Sequence, residues 1–203
     1  MDTNIIVTGV GGQGSILVSH IIAEAALKEH GDKYRVRVGE TFGAAQRGGA
    51  VASHVRVGEE VYSPLVGRGA AGIIIAMEPL EAIRLGVSYL SPTGIVVMNT
   101  AKQTPVDVKI GAAEYPKLET IIDALNQLGE RVVAFNGDEL ADRAGSLKVL
   151  SIVMLGAAFA CGRLPFSEAT LLSVVAENVP QKTVEMNLTA FALGKAAYGE
   201  ANT

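Results

Sequence analysis

Short apolar runs along the chain alternate with longer stretches in which apolar residues return every third or fourth position. Asn4–Val10 (NIIVTGV) reads as a buried strand. Ser15–His30 reads as a helix, with Leu17, Ile21 and Ala25 beside Val18, Ile22 and Ala26 at helical spacing, and Gly31 as its stop. Tyr34–Val38 (YRVRV) and Val51–Val57 (VASHVRV) alternate with period two, which predicts strands with one wet or ligand-facing side. Phe42–Ala50 between them is too rich in glycine for a regular element. Gly58-Glu59-Glu60 before Val61-Tyr62-Ser63 predicts a hairpin turn.

Beyond that point a strand–helix rhythm takes over. Gly72–Met77, Ile95–Asn99 and Val132–Phe135 read as buried strands, with a further short one over Val106–Ile110. Helices are predicted over Pro79–Leu90, over Tyr115–Leu128 with Pro116 in its first turn, and over about 148–161, 167–177 and 183–198. Short apolar strands separated by helices predict an α/β chain: a three-layer α/β/α sandwich. Its sheet is mixed, from the hairpin region at 34–62, but largely parallel. A Rossmann-like opening and a helical C-terminal region complete it. The sequence shows no internal repeat, low-complexity tract or linker, so residues 1–203 are expected to form a single domain.

Composition narrows the chemistry. Of 203 residues, 49% are hydrophobic and only 19% charged, against about 25% in an average soluble domain. That balance suits a chain with part of its surface meant for a partner. One cysteine, Cys161, excludes an internal disulfide, a structural zinc cluster and a chain-borne iron–sulfur cluster. The longest nearly apolar run, Val149–Cys161, has 13 residues, short of the roughly 20 that cross a bilayer, and reads as a buried helix. With no basic segment before the first strand, a cytoplasmic location is expected, with no membrane partner. From Lys33 to Arg56 five basic residues face Glu40 alone, a local charge of +4 within a chain of net charge −4. Such a field suits a small anion or an acidic partner; nucleic acid asks for a broader basic footprint.

Two glycine clusters carry the candidate chemistry. Gly9-Val10-Gly11-Gly12-Gln13-Gly14 joins the first strand to the first helix, a turn that brings backbone N–H groups close to a phosphate or carboxylate. It matches GxGxxG, but the acid that dinucleotide binding needs is Glu40, 26 residues past Gly14 and late for the usual spacing of about 20. The Gln13 amide either meets a ligand or closes the turn. In Gln46-Arg47-Gly48-Gly49 an arginine among small neighbours presents its donors without cover, to an anion or to a carboxylate in its own loop. His54 shares a strand face with Ala52 and Arg56, either helping to hold an anion or as a structural histidine. Glu78 and Glu81 read as packing residues or as partners for Arg84. His20, His30 and His54 form no metal-spaced pair.

The ordered motifs GVGGQG-Ser15, FGAAQRGGAVASHVRVG, YSPLV and AMEPLEAIR resemble the gamma-type domain of 2-oxoacid:ferredoxin oxidoreductases. Asn99-Thr100, Glu114–Pro116, VMLGA at 153–157, LPF at 164–166 and NLTAFALG at 187–194 resemble one branch, the small (beta) subunits of indolepyruvate ferredoxin oxidoreductases. The resemblance covers nearly the whole chain. It implies oxidative decarboxylation of an aromatic 2-oxoacid with coenzyme A as co-substrate, giving an aryl-acetyl-CoA, CO2 and reduced ferredoxin. It implies a large alpha subunit carrying thiamine diphosphate, Mg²⁺ and the iron–sulfur clusters, with no cofactor assigned to this chain alone. The small chain is expected to scaffold the assembly and to help shape the substrate or coenzyme A cavity through Gly11, Gly12, Gln13, Gly14, Gln46, Arg47, Gly48, Gly49 and His54. No catalytic residue and no metal ligand is assigned. Two positions depart from the family pattern: Gly72, where an acid is common, and Ser151, where asparagine is common. Alternatives are a gamma-type subunit of a pyruvate or ketoisovalerate enzyme, a free-standing NAD- or FAD-binding enzyme, and a non-catalytic interaction subunit.

Overall fold

The computed structural model describes residues 2–42, 49–104, 108, 110–111 and 114–200. Six strands, β1 (Thr3–Val10), β2 (Arg35–Phe42), β3 (Ala50–Gly58), β4 (Ala71–Ala76), β5 (Leu90–Asn99) and β6 (Arg131–Phe135), form one sheet. Its order is β2-β3-β1-β4-β5-β6. β1, β4, β5 and β6 are mutually parallel, while β3 runs antiparallel to both β1 and β2. The sheet is therefore mixed and largely parallel, as the sequence pattern implies.

Helices cover both faces unequally. α1 (Ser15–His30), α5 (Leu150–Ala160), α6 (Glu168–Asn178) and α7 (Val184–Glu200) pack over one face, on Ile5, Val7, Ile73, Ile75 and Val97. α2 (Pro79–Tyr89) and α3 (Leu118–Leu128) cover the other, on Ile6, Ile74, Val96 and Met98. Consecutive strand residues feed opposite layers, so these strands are apolar throughout instead of alternating. The remaining helix, α4 (Gly137–Ala144), stands at the C-terminal end of the parallel strands.

The apolar run at 149–161 is α5, buried from Leu150 to Ala158. It crosses α7 with almost no separation. A Cβ on Gly156 would overlap the Phe191 carbonyl oxygen, and one on Gly194 would overlap that of Val153. The motifs VMLGA and NLTAFALG thus mark a backbone-on-backbone helix crossing.

Several expectations change in the structure. The turn at 58–60 leads into no strand; residues 61–70 cross the sheet as an irregular strap anchored by buried Val61 and Val66. Pro64, Gly67 and Gly69 explain why no ladder forms there. β3 pairs instead with β2 on one side and β1 on the other. β5 begins at Leu90, straight after α2, and α3 begins at Leu118, two residues past Pro116. The short strand expected over 106–110 lies mostly outside the described residues, and 108, 110 and 111 are not strand. α4 has no counterpart in the sequence reading.

Candidate functional site

β1 ends at Val10, and the chain must turn at once to start α1. The Gly11 N–H donates to the Gly49 carbonyl at 2.9 Å, extending the β1–β3 ladder by one bond. The two glycine clusters, far apart in sequence, are thereby placed side by side. Gln13 N–H donates to Val10 O at 3.1 Å, its Oε1 accepts the Val10 N–H at 2.7 Å, and its Nε2 donates to Met77 O at 3.3 Å. Both ends of the amide are engaged, so Gln13 shapes the turn and fastens it to the end of β4.

Gly12 at φ 103° and Gly14 at φ 83° occupy backbone conformations that L side chains rarely adopt. Nothing lies within 4 Å of a Cβ placed on Gly12, whereas one on Gly14 would stand 2.6 Å from Ser151 Oγ. Ser151 is 1% exposed, and among the described residues its hydroxyl has no hydrogen-bond partner. α1 starts at Ser15 without an acid in its first turn. The N–H groups of Ser15, Ile16 and Leu17 have no carbonyl four residues back within the helix, and the dipole leaves this end positive.

The turn forms one wall of a crevice of about 280 Å³, completed by Gln103, Asp138, Leu147, Lys148 and Leu150. Lys148 makes no ion pair among the described residues. It also lines an adjoining, mainly apolar cavity of about 320 Å³ with Leu17, Val149, Val179, Pro180 and Met186. The crevice lies where the parallel strands end, the usual ligand position in open α/β sheets.

Two buried polar residues set its frame. Asn99, fully buried at the end of β5, donates from Nδ2 to Met77 O (3.0 Å) and to Asp138 Oδ1 (2.9 Å). Its Oδ1 accepts from Gly137 N (2.9 Å) and Ala101 N (3.2 Å). Every bonding site of that amide is filled, which fixes α4 against β4 and β5. Glu78, 1% exposed, caps α2 by accepting the Glu81 N–H at 3.1 Å; it also accepts the Gln103 N–H at 3.4 Å and the Tyr115 hydroxyl. Burial, reinforced by this carboxylate, pushes the Tyr115 hydroxyl well above its ordinary pKa. Glu81 pairs with Arg84 Nε at 3.0 Å. Among the described residues no group of three or more His, Cys, Asp or Glu side chains is placed to hold a metal ion.

His54 is held elsewhere. It pairs across the ladder with Ile6, four residues before the end of β1, and Nδ1 accepts the Val66 N–H at 3.3 Å. Tyr89 meets its ring edge-on at 5.1 Å, and burial holds the imidazole below its ordinary pKa of 6.5. The strap at 61–70 covers it. Gln46, Arg47 and Gly48 lie outside the described residues; Gly49 is fixed to Gly11. Glu40 is two strands from β1, roughly 10 Å across the sheet, and stands 3.0 Å from His20 Nε2. A dinucleotide site wants that acid on the strand beside β1, so the NAD or FAD arrangement is not built here. Of the two departures from the family pattern, Gly72 lies at the opposite end of β4, while Ser151 touches the glycine turn. Asp138 and Lys148 escaped sequence reasoning because neither belongs to a motif: Asp138 is one of several charges over 138–143, and Lys148 stands between Leu147 and Val149 at the start of an apolar run. Asn99 left a signal, a polar residue closing an apolar strand.

A glycine turn, an uncapped helix start and a lysine without an ion pair among the described residues thus meet at the ends of the parallel strands of an α/β protein. The family model described as pyruvate ferredoxin/flavodoxin oxidoreductase matches residues 4–197. The indolepyruvate oxidoreductase subunit IorB of Archaeoglobus fulgidus is 40% identical over 194 residues, covering 96% of this chain and 94% of that protein. IorB of Thermococcus kodakarensis is 38% identical over 198 residues, covering 97% and 96%. A keto/oxoacid ferredoxin oxidoreductase gamma subunit from Geobacter sulfurreducens superposes with a TM-score of 0.70 at 24% identity, covering 98% and 99%, and so shares the fold. The chain belongs to the gamma-type subunits of the 2-oxoacid:ferredoxin oxidoreductase family, close to the indolepyruvate oxidoreductase small subunits. Its family-level function is that of a subunit of such an oxidoreductase.

Proposed function

We propose that the chain is the small subunit of a cytoplasmic arylpyruvate ferredoxin oxidoreductase, with indolepyruvate as the leading substrate. Full-length identity of 38–40% to IorB subunits carries this reading. The large companion subunit holds thiamine diphosphate, Mg²⁺ and the iron–sulfur clusters and passes electrons to ferredoxin. Thiamine diphosphate supplies the carbanion chemistry when bound. A single cysteine leaves this chain without a thiolate set for a cluster.

The chain's own part is to hold an anionic reactant. The free N–H groups at the start of α1 and the Lys148 ammonium supply donors to a phosphate of coenzyme A or a 2-oxoacid carboxylate, with Ser151 packed behind Gly14. The adjoining apolar cavity suits the less polar part of the same molecule. Arg47, two residues before Gly49 and so close in sequence to this wall, adds a guanidinium to the same task. Donors fixed before the ligand arrives lower a barrier through positioning, without proton transfer by this subunit.

Steady-state kinetics of the reconstituted two-subunit enzyme test the reading. Ferredoxin reduction is expected to depend on an arylpyruvate, coenzyme A and thiamine diphosphate. Arg47→Ala and Lys148→Ala are expected to leave assembly intact and to raise KM for one anionic reactant. Unchanged parameters for both reactants remove the positioning role. A preference for pyruvate or ketoisovalerate over arylpyruvates moves the chain to that branch of the family.

A further inference from the structure

Among the described residues β2 is a free edge of the sheet. It pairs with β3 in unbroken register for eight residues and holds no proline, so a row of backbone N–H and C=O groups about 26 Å long remains open. Large exposed apolar side chains gather beside it: Phe42 (63% exposed), Tyr62 (68%) and Leu65 (51%). Leu65 Cδ2 lies 3.3 Å from where a Cβ on Gly39 would stand, which places the strap against the middle of the strand.

Charge on this edge is unbalanced. Arg35, Arg37, Gly39 and Thr41 share one face, and Arg37 stands directly opposite Arg56, a like-charge pair that costs stability unless neutralised. Arg56 is held by Asn4 Oδ1 at 2.9 Å, Ser63 O at 3.1 Å and Asp2 at 3.7 Å. Arg37 has only the carbonyl of neighbouring Val36, and Arg35 lies over the Tyr62 ring at 4.4 Å. Among the described residues neither meets a carboxylate: Glu40 is on the opposite face with His20, and Glu59 and Glu60 pair with neither.

We propose that β2 accepts an extended segment of the large companion subunit as a seventh strand, with carboxylates at alternate positions opposite Arg35 and Arg37. The residues of that segment on its other face are apolar where they meet Val36, Val38 and Phe42. The spacing follows from strand geometry, since side chains two residues apart stand on one face about 7 Å from each other. Backbone bonds give the affinity and the arginines select the register. A second copy of this chain fits less well: its own β2 offers Arg35, Arg37, Gly39 and Thr41 on that face, and no carboxylate. The inference rests on the reading of the chain as a small subunit.

Hydrogen exchange on the isolated chain and on the assembly purified from its native source tests it. Outward amides within 35–42 are expected to exchange at least tenfold more slowly in the assembly. The double variant Arg35→Glu/Arg37→Glu is expected to weaken association about tenfold, with a melting temperature of the isolated chain no lower than that of the unmodified chain, since a glutamate at position 37 faces Arg56. An Arg68→Glu control is expected to associate normally. An assembly that reduces ferredoxin while these amides exchange as in the isolated chain overturns the edge docking and leaves the functional reading standing. Recovery of the chain with no large subunit overturns both. Protection already present in an isolated chain of dimer mass assigns the edge to a second copy and overturns the proposal. Should the double variant misfold, exchange on the unmodified assembly decides.

Discussion

Between α5 and α7, Gly156 and Gly194 sit where any Cβ would overlap a backbone carbonyl, while at the β1–α1 turn a Cβ on Gly12 would meet nothing within 4 Å. In the first region the missing side chain lets two helices touch; in the second it leaves the backbone open, as the proposed anion site requires. Gly14 stands between these cases, with φ 83° and Ser151 pressed against it. Glycines that look alike in sequence therefore divide into those that hold the fold and those that keep a site open. The motifs by which a family is recognised contain both.

Substitution separates the two groups. Gly194→Ala and Gly156→Ala force the helix backbones apart and are expected to cost about 3 kcal/mol or more, read by chemical denaturation. A loss below about 1 kcal/mol would show that the crossing tolerates a methyl group. Gly14→Ala combines backbone strain with the Ser151 contact, and about 2 kcal/mol is expected. Adding Ser151→Gly should recover part of that, because it removes the contact and leaves the strain. Gly12→Ala carries strain alone, about 1–2 kcal/mol, but it narrows the crevice. In the assembled enzyme it should raise KM for an anionic reactant, which the Gly194 variant, once folded, should not do.

His54, beneath the strap, supplies a pH-dependent contrast. Its folded pKa lies below 6.5, so the unfolded chain binds the extra proton between the two values. Stability is complete above about pH 6.5 and is lost as pH falls through the folded pKa, at up to about 1.4 kcal/mol per pH unit. In His54→Gln that part of the acid slope should vanish. Smallest of all is Lys148→Ala, expected to change stability by less than about 0.5 kcal/mol while weakening anion binding, since its ammonium makes no ion pair among the described residues.

Most strands and the long helices were legible because each feeds apolar residues into a layer at its own period. α4 was not. GDELADRA carries only a short apolar stripe, Leu140, Ala141 and Ala144, too brief to show a period, and its ends are fixed: Asn136 accepts the Glu139 N–H at 3.2 Å, and Gly145 closes it at φ 117°. The pattern Asn-x-x-Glu was a readable start signal that a search for hydrophobic period passes over. Pairing also escaped. VASHVRV and YRVRV look like strands from sequence, but that they pair with each other across a glycine loop, and that β3 enters beside β1, depends on contacts across the sheet. The glycine turn was legible as a candidate site. Its opposite wall was not, because Asn99, Asp138 and Lys148 meet only after three separate crossovers bring their strand and helix ends together.

The helix crossing also bears on how the chain must be made. α5 is the most apolar helix, and its cover is α7, which follows it in the chain. A ribosome translating this message therefore releases α5 well before the segment that shields it. For that interval the nascent chain shows a greasy helix to its surroundings, sheltered by early docking onto α1, α4 and the sheet. Production at low temperature or with abundant chaperones should raise the soluble yield of chains altered in α7 more than of chains altered in the glycine turn.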